Sequence, residues 1–239
     1  MKKIIILILL FIFGGQAHAE EILVCIDPYP PFKIVDSSGE VTGGIDIELT
    51  NTLLNAMNFK ASYHVYPWAR CLDNLKNGKC DFVSGITRNT DREEYLHYIE
   101  PPYKTNSVKV FYVNSGDETK YKTYNDIKNS NVGILRGAKY FEKFDNDSDI
   151  EKREVSSELS GFRMLKLGRF DAYISTEEVG DYVIETNNFG ETFAKAQYKH
   201  NQGIPVYFAL SKKSKFTDRL PEFAKMVKEL KEKGTFTYK

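Results

Sequence analysis

Apolar residues along this chain fall in short runs separated by helical patterns, the arrangement of sheets covered by helices. Residues 21–27, EILVCID, form a run rich in Ile, Leu and Val that ends at the turn PYPPF, and predict a first buried strand. KIVDSSGEVTGG predicts a hairpin with Ser37, Ser38 and Gly39 at its tip. Beyond Asp46, a candidate helix cap, Leu49, Leu53 and Met57 recur on one helical face. ASYHVY (61–66) predicts a second strand, Pro67 to Asn77 a helix stopped by Gly78, and CDFVSGI (80–86) a third strand. Such alternation indicates a mostly parallel sheet flanked by helices.

The pattern then repeats. VKVFYVN, from Val108, is extended and apolar, and Asn114 to Asn131 is polar with one short helix. VGIL predicts a strand, followed by a turn at Arg136 and Gly137 and a helix start whose amides at Ala138 and Lys139 could face an anion. Ser156 or Ser157 caps a helix with Leu159, Phe162, Leu165 and Met164 as its inward candidates, and LGRFDAYIST (167–176) predicts a strand. IPVYFALS (204–211) is extended, and a last amphipathic helix runs from about Asp218 to Lys233 with Gly234 as its stop. The extended runs at 108–113 and 204–210 read as crossings between two α/β lobes. Lobe 1 is then discontinuous, 20–112 plus 206–239, and lobe 2 spans 113–205.

The N-terminus changes the setting. Lys2 and Lys3, the run IIILILLFIF, Gly14, Gly15 and Ala17-His18-Ala19 have the form of a secretory signal peptide cleaved after Ala19. Ten apolar residues fall short of the roughly 20 that span a bilayer. No cysteine stands at the cleavage point for a lipid anchor, so an exported, periplasmic chain is expected. The 239 residues carry 33 basic and 33 acidic side chains, and removing Lys2 and Lys3 leaves the balance nearly neutral. That argues against a nucleic-acid or anionic-membrane partner and for a small molecule or another protein.

Cys25, Cys71 and Cys80 would lie in an oxidising compartment, where one disulfide and one thiol are the simplest outcome. Cys25 nears the end of its strand and Cys71 opens a helix at that same sheet edge, whereas Cys80 opens its strand at the opposite edge. The expected bridge is Cys25 with Cys71. His64, His97 and His200 show no metal-ligand spacing, so neither metal nor cofactor is expected.

Candidate chemistry centres on GITRNTDR, Gly85 to Arg92. An arginine fork at the mouth of a sheet can take a carboxylate bidentately, with the Gly85 backbone and the Thr87 hydroxyl assisting. The plainer alternative has Thr90 or Asp91 capping a short helix and Arg92 solvated. PYPPF, PWARC and GITRNTDR all follow strand ends, where parallel sheets bind ligands, and this brings Tyr29, Trp68, Arg70, Thr87 and Arg92 to one rim. Aromatic faces beside a cationic fork suit a small organic anion, although Tyr29 and Trp68 could equally be packing residues. GxSxG, P-loop and HExxH patterns are absent.

YPPF, GGIDIEL, PW, LKNGKCDF, GITRNTDR followed by PPY, VGILRG, LGRFDAY and the terminal KEKG occur in an order that resembles family 3 extracellular solute-binding proteins. These are the periplasmic receptors of polar amino acid ABC transporters, and PWARCL is similar to a divergent branch. The resemblance implies a two-lobed type II periplasmic binding fold, joined by two crossing strands, that closes by hinge bending. It implies a monomeric receptor that passes an amino acid or small carboxylate to an inner-membrane permease. By position, Arg92, Thr87 and Gly85 would hold the ligand carboxylate, Tyr29 and Trp68 would wall the site, and the loop from Arg136 through Ala138 to Lys139 would meet the carboxylate from lobe 2.

Departures from the family pattern bear on the ligand. The aspartate that usually faces the α-amino group falls on Thr176, and Ala138 replaces a small hydroxyl residue. Glu177 or Glu178 could substitute for that aspartate, or be solvated at a helix start. A more anionic ligand without an α-amine is therefore open. Some relatives of this fold dehydrate prephenate or arogenate, and for such an enzyme Glu177 is the one candidate general acid. A sensing module for a separate signalling partner is a third reading.

Overall fold

The computed structural model describes residues 19–236, so the expected signal peptide lies outside the described residues except for Ala19. The first half of the chain runs β1 (Glu20–Ile26), β2 (Ile34–Val35), β3 (Val41–Gly43), α1 (Ile45–Ala56), β4 (Phe59–Val65), α2 (Trp68–Lys76), β5 (Phe82–Thr87), α3 (Thr90–Glu93) and β6 (Leu96–Lys104). The second runs β7 (Lys109–Asn114), β8 (Asn131–Leu135), α4 (Glu142–Asp145), β9 (Glu151–Val155), α5 (Glu158–Lys166), β10 (Ala172–Thr176), α6 (Glu177–Thr186) and β11 (Phe193–His200). The chain returns through β12 (Val206–Ser211) and ends in α7 (Leu220–Glu232).

Two five-stranded sheets result, ordered β4-β1-β5-β12-β6 and β11-β7-β10-β8-β9. β1 pairs in parallel with β4 and β5, and β8 with β9 and β10, while β12 and β7 run antiparallel to their neighbours. This is the mixed α/β, two-lobed architecture of type II periplasmic binding proteins. In the first lobe, the apolar face of α1 (Leu49, Leu53) and that of α7 (Phe223, Val227) bury against Ile22, Val24, Phe82 and Phe208 of the sheet. The second lobe buries Phe162 and Leu165 of α5 against Tyr112 and Tyr173.

The chain passes between the sheets at 105–108 and again at 201–205. All of β7 belongs to the second sheet, so the first passage precedes the extended run read as a crossing. Asp46 does not cap α1. The helix starts at Ile45 behind Gly44, whose φ is 117°, and a Cβ there would stand 2.4 Å from the Phe32 carbonyl oxygen. Nor do Thr90 or Asp91 cap α3: Asn89 Oδ1 accepts from the Arg92 amide at 2.9 Å. The turn lies at Arg136 and Gly137, closed by the Ala138 amide on the Leu135 carbonyl at 2.9 Å, but Ala138 and Lys139 start no helix, which waits until Glu142.

The disulfide is also a correction. Cys25 bonds to Cys80, with Cα atoms 5.8 Å apart, and Cys71 is a buried free thiol. The strand starts are staggered: Phe82, first in β5, pairs with Val24 near the end of β1 rather than with Glu20 at its beginning. The segment leading into β5 therefore reaches Cys25, where a flush alignment would have kept Cys80 at the far edge.

Candidate ligand-binding site

Strand ends of both sheets converge on one cleft. Lobe 1 contributes Asp27 and Tyr29 beyond β1, Lys33 from the following turn, Trp68 at the start of α2, Gly85 and Thr87 of β5, and Arg92 of α3. Lobe 2 contributes Lys109 at the start of β7, Leu135, Ala138, Lys139 and Tyr140 at and beyond the end of β8, and Glu158 in the first turn of α5. They line an inner cavity of about 60 Å³. A wider space of about 610 Å³ beside it shares Thr87, Lys139 and Tyr140 with it.

Arg92 is 4% exposed, and its guanidinium spans the lobes. Nη1 donates to the Thr87 carbonyl and hydroxyl oxygens at 2.8 and 3.1 Å, and Nη2 donates to the Gly137 carbonyl of lobe 2 at 3.1 Å. Its face lies 5.5 Å from the Trp68 ring centroid, and Trp68 Nε1 donates to the same Gly137 carbonyl at 3.2 Å. Burial lowers the guanidinium from its ordinary pKa, yet an arginine keeps its charge. Gly85 has φ 78°, and a Cβ on it would fall 2.8 Å from Asp46 Oδ2, so the close packing of the cleft floor requires glycine.

A second group of charges surrounds Thr176. The register places Thr176 opposite Lys109, and its hydroxyl accepts from Lys109 Nζ at 2.7 Å and from the Tyr29 hydroxyl at 2.6 Å. Lys109 also donates to Ser107 Oγ at 2.8 Å. Burial, aided by nearby Lys104, pushes the Lys109 ammonium down to about 8. Glu158 accepts from the Ser175 and Tyr173 hydroxyls at 2.9 and 3.0 Å. Burial pushes its carboxyl up to about 7 even though those hydroxyls hold it down. On the lobe 1 side Lys33 forms an ion pair with Asp27, both buried. Burial pulls its ammonium down, but Asp27 and Asp46 outweigh this and hold it above its ordinary value.

Residues 22–238 match the family described as bacterial extracellular solute-binding proteins, family 3. The chain belongs to that family. It is 25% identical to the arginine-binding periplasmic protein of Mannheimia haemolytica over 87% of this chain and 90% of that protein. It is 26% identical to the L-cystine-binding protein TcyJ of Escherichia coli (strain K12) over 71% of this chain, and the match spans 65% of that protein. Among solved structures, a histidine kinase sensor domain with similarity to periplasmic binding proteins superposes with a TM-score of 0.77 at 19% identity, covering 92% of this chain and 93% of that one.

Within this family 3 fold the cleft unites Tyr29, Trp68, Gly85, Thr87, Arg92, Ala138 and Lys139, with Thr176 just behind them. Three expected residues point elsewhere. Arg70 is exposed and does not line the cavity, Arg136 turns outward to Glu154 at 3.0 Å, and Glu177 pairs with Lys195 at 2.9 Å. The residues that sequence reasoning missed are mostly charged: Asp27, Lys33, Lys109 and Glu158. A usable signal existed, because Lys33 stands between Phe32 and Ile34 and Lys109 between Val108 and Val110, charges interrupting extended apolar stretches. In sequence Glu158 is simply a first-turn acid behind Ser157, which does cap α5.

Proposed function

We propose that this chain is a periplasmic substrate-binding receptor, exported through its signal peptide, that captures an amino acid or related small carboxylate and delivers it to an inner-membrane ABC permease. It acts as a monomer and does no chemistry on its ligand. The observation that carries this reading is Arg92: a buried guanidinium at the meeting point of both lobes, its donors directed at Thr87 and at Gly137 across the cleft. A carboxylate reaching Arg92 would exchange the Gly137 carbonyl for an oppositely charged acceptor, adding ion-pair attraction and a bidentate geometry to a bond whose donor is already charged. Ligand binding and lobe closure would thus act on one side chain.

Amino acid binding by the relatives, named for arginine and cystine, supports this class of ligand. The solved sensor domain supports the fold alone. The general acid expected for a dehydratase, Glu177, is engaged with Lys195 outside the cavity lining. Calorimetry and thermal shift with amino acids and small organic acids test the reading. Binding of at least one member is expected, with Arg92→Ala weakening it by about ten- to a hundredfold, the equivalent of one charged hydrogen bond. Unchanged affinity in Arg92→Ala would sink it.

A further inference from the structure

The aromatic cage of the cleft already contains a cation. Lys33 is 2% exposed, and its Nζ stands 5.4 Å from the ring centroids of both Tyr29 and Trp68. Asp27 pairs with it directly, and Asp46 Oδ2 and Lys33 Nζ both pack beneath Gly85, 2.8 and 3.4 Å from where a Cβ would be. Two aromatic faces with carboxylates behind them are the chemistry that recognises an alkylammonium or guanidinium group. Here a lysine of the chain itself satisfies them.

We infer that Lys33 is a tethered occupant of this cation cage, so that the receptor excludes ligands with a basic side chain and takes small acids whose side chain is uncharged. This rests on the reading of the cleft as a ligand site. A second cation entering the cage would meet Lys33 in a buried setting where like-charge repulsion is weakly screened. Size points the same way: about 60 Å³ of inner cavity, at roughly 10–15 Å³ for each water, leaves room for about four to six small groups beside Arg92. Glycine, alanine, serine, lactate or pyruvate match that inner space, whereas an extended basic side chain would have to leave it past Thr87 and Lys139 into the wider one.

The test has two arms. In the first, the wild-type protein is titrated with glycine, alanine, serine, lactate and pyruvate, and with arginine, lysine and histidine. A small acid is expected to bind at least about tenfold more tightly than any basic amino acid, and a basic amino acid binding equally well would overturn the inference. In the second, Lys33→Ala is melted with and without propylammonium chloride, using sodium chloride as control. The emptied cage should be refilled, raising the melting temperature of the variant but not of the wild type. No specific rise would overturn the inference.

If the wild type binds nothing in the panel, the receptor reading fails, while the propylammonium arm still decides whether the cage is a cation site. Should Lys33→Ala not fold, Lys33→Arg keeps a cation in place and is expected to go on refusing basic amino acids; acceptance of arginine by that variant would overturn the inference.

Discussion

Lys109 and Thr176 face each other across the β7–β10 pair, and the lysine ammonium donates to the threonine hydroxyl at 2.7 Å. The same oxygen accepts from Tyr29 at 2.6 Å, so one hydroxyl joins a buried cation of lobe 2 to an aromatic residue of lobe 1. Thr176→Val keeps the shape and removes that acceptor. It should destabilise the fold by about 3 kcal/mol, because two buried donors lose a partner. Thr176→Ser should recover most of the loss. Urea melts of the three proteins measure it, and a valine variant as stable as the wild type would refute the coupling.

How much of this was legible follows from where each element lies. Central or helix-backed strands such as β1, β5, β8 and β12 declare themselves as apolar runs, since both faces are covered. The strands that went unread, β6, β9 and β11, are sheet edges. β6 carries Pro101 and Pro102, which edges tolerate, and β9 reads EKREV, a polar sequence suited to an edge that must not recruit another strand. In the site, Arg92, Thr87, Gly85, Tyr29 and Trp68 follow recognisable strand ends. Lys33 and Lys109 show locally only as charges inside apolar stretches, and what they face, like the place of Glu158, depends on pairing between distant segments.

Trp68 and Arg92 share the Gly137 carbonyl, so each is half of an interlobe bond. Trp68→Phe should leave a ring beneath the guanidinium while removing the indole donor and the buried volume of one fused ring. The expected cost is about 1 kcal/mol for the neutral hydrogen bond plus about 1 kcal/mol or more for the volume lost. The midpoint of a urea melt should fall with no change in its slope, which depends on the surface exposed on unfolding. A changed slope would show that the substitution altered lobe packing more broadly.

Cys25 and Cys80 close a loop with a sequence separation of 55, while Cys71 is buried and free. Without reductant, one thiol per chain should react in denaturant and almost none in the native state, and mapping should place it on Cys71. Burial pushes that thiol up and keeps it from ionising. Cys25→Ser with Cys80→Ser should cost about 4 kcal/mol by the loop-closure estimate. A reactive Cys80 in the denatured, unreduced chain would contradict this pairing.

Glu158 and Lys109 both face the inner cavity and titrate in opposite senses, which gives the protein a legible pH profile. Burial raises the Glu158 carboxyl from an ordinary 4.5 to about 7. Below 4.5 it is protonated whether the chain is folded or not, and its contribution to stability is fully present. Between 4.5 and 7 only the unfolded chain gives up the proton, so stability falls as pH rises, by on the order of 3 kcal/mol in all. Lys109 is lowered from 10.5 to about 8, so the penalty for burying its charge is complete below 8 and is relieved as pH rises toward 10.5. Glu158→Gln should therefore flatten the melting temperature between pH 4.5 and 7 and leave the alkaline rise intact, while Lys109→Met should do the reverse. Parallel melting curves for the wild type and Glu158→Gln across the acid window would show that the buried carboxyl does not set this dependence.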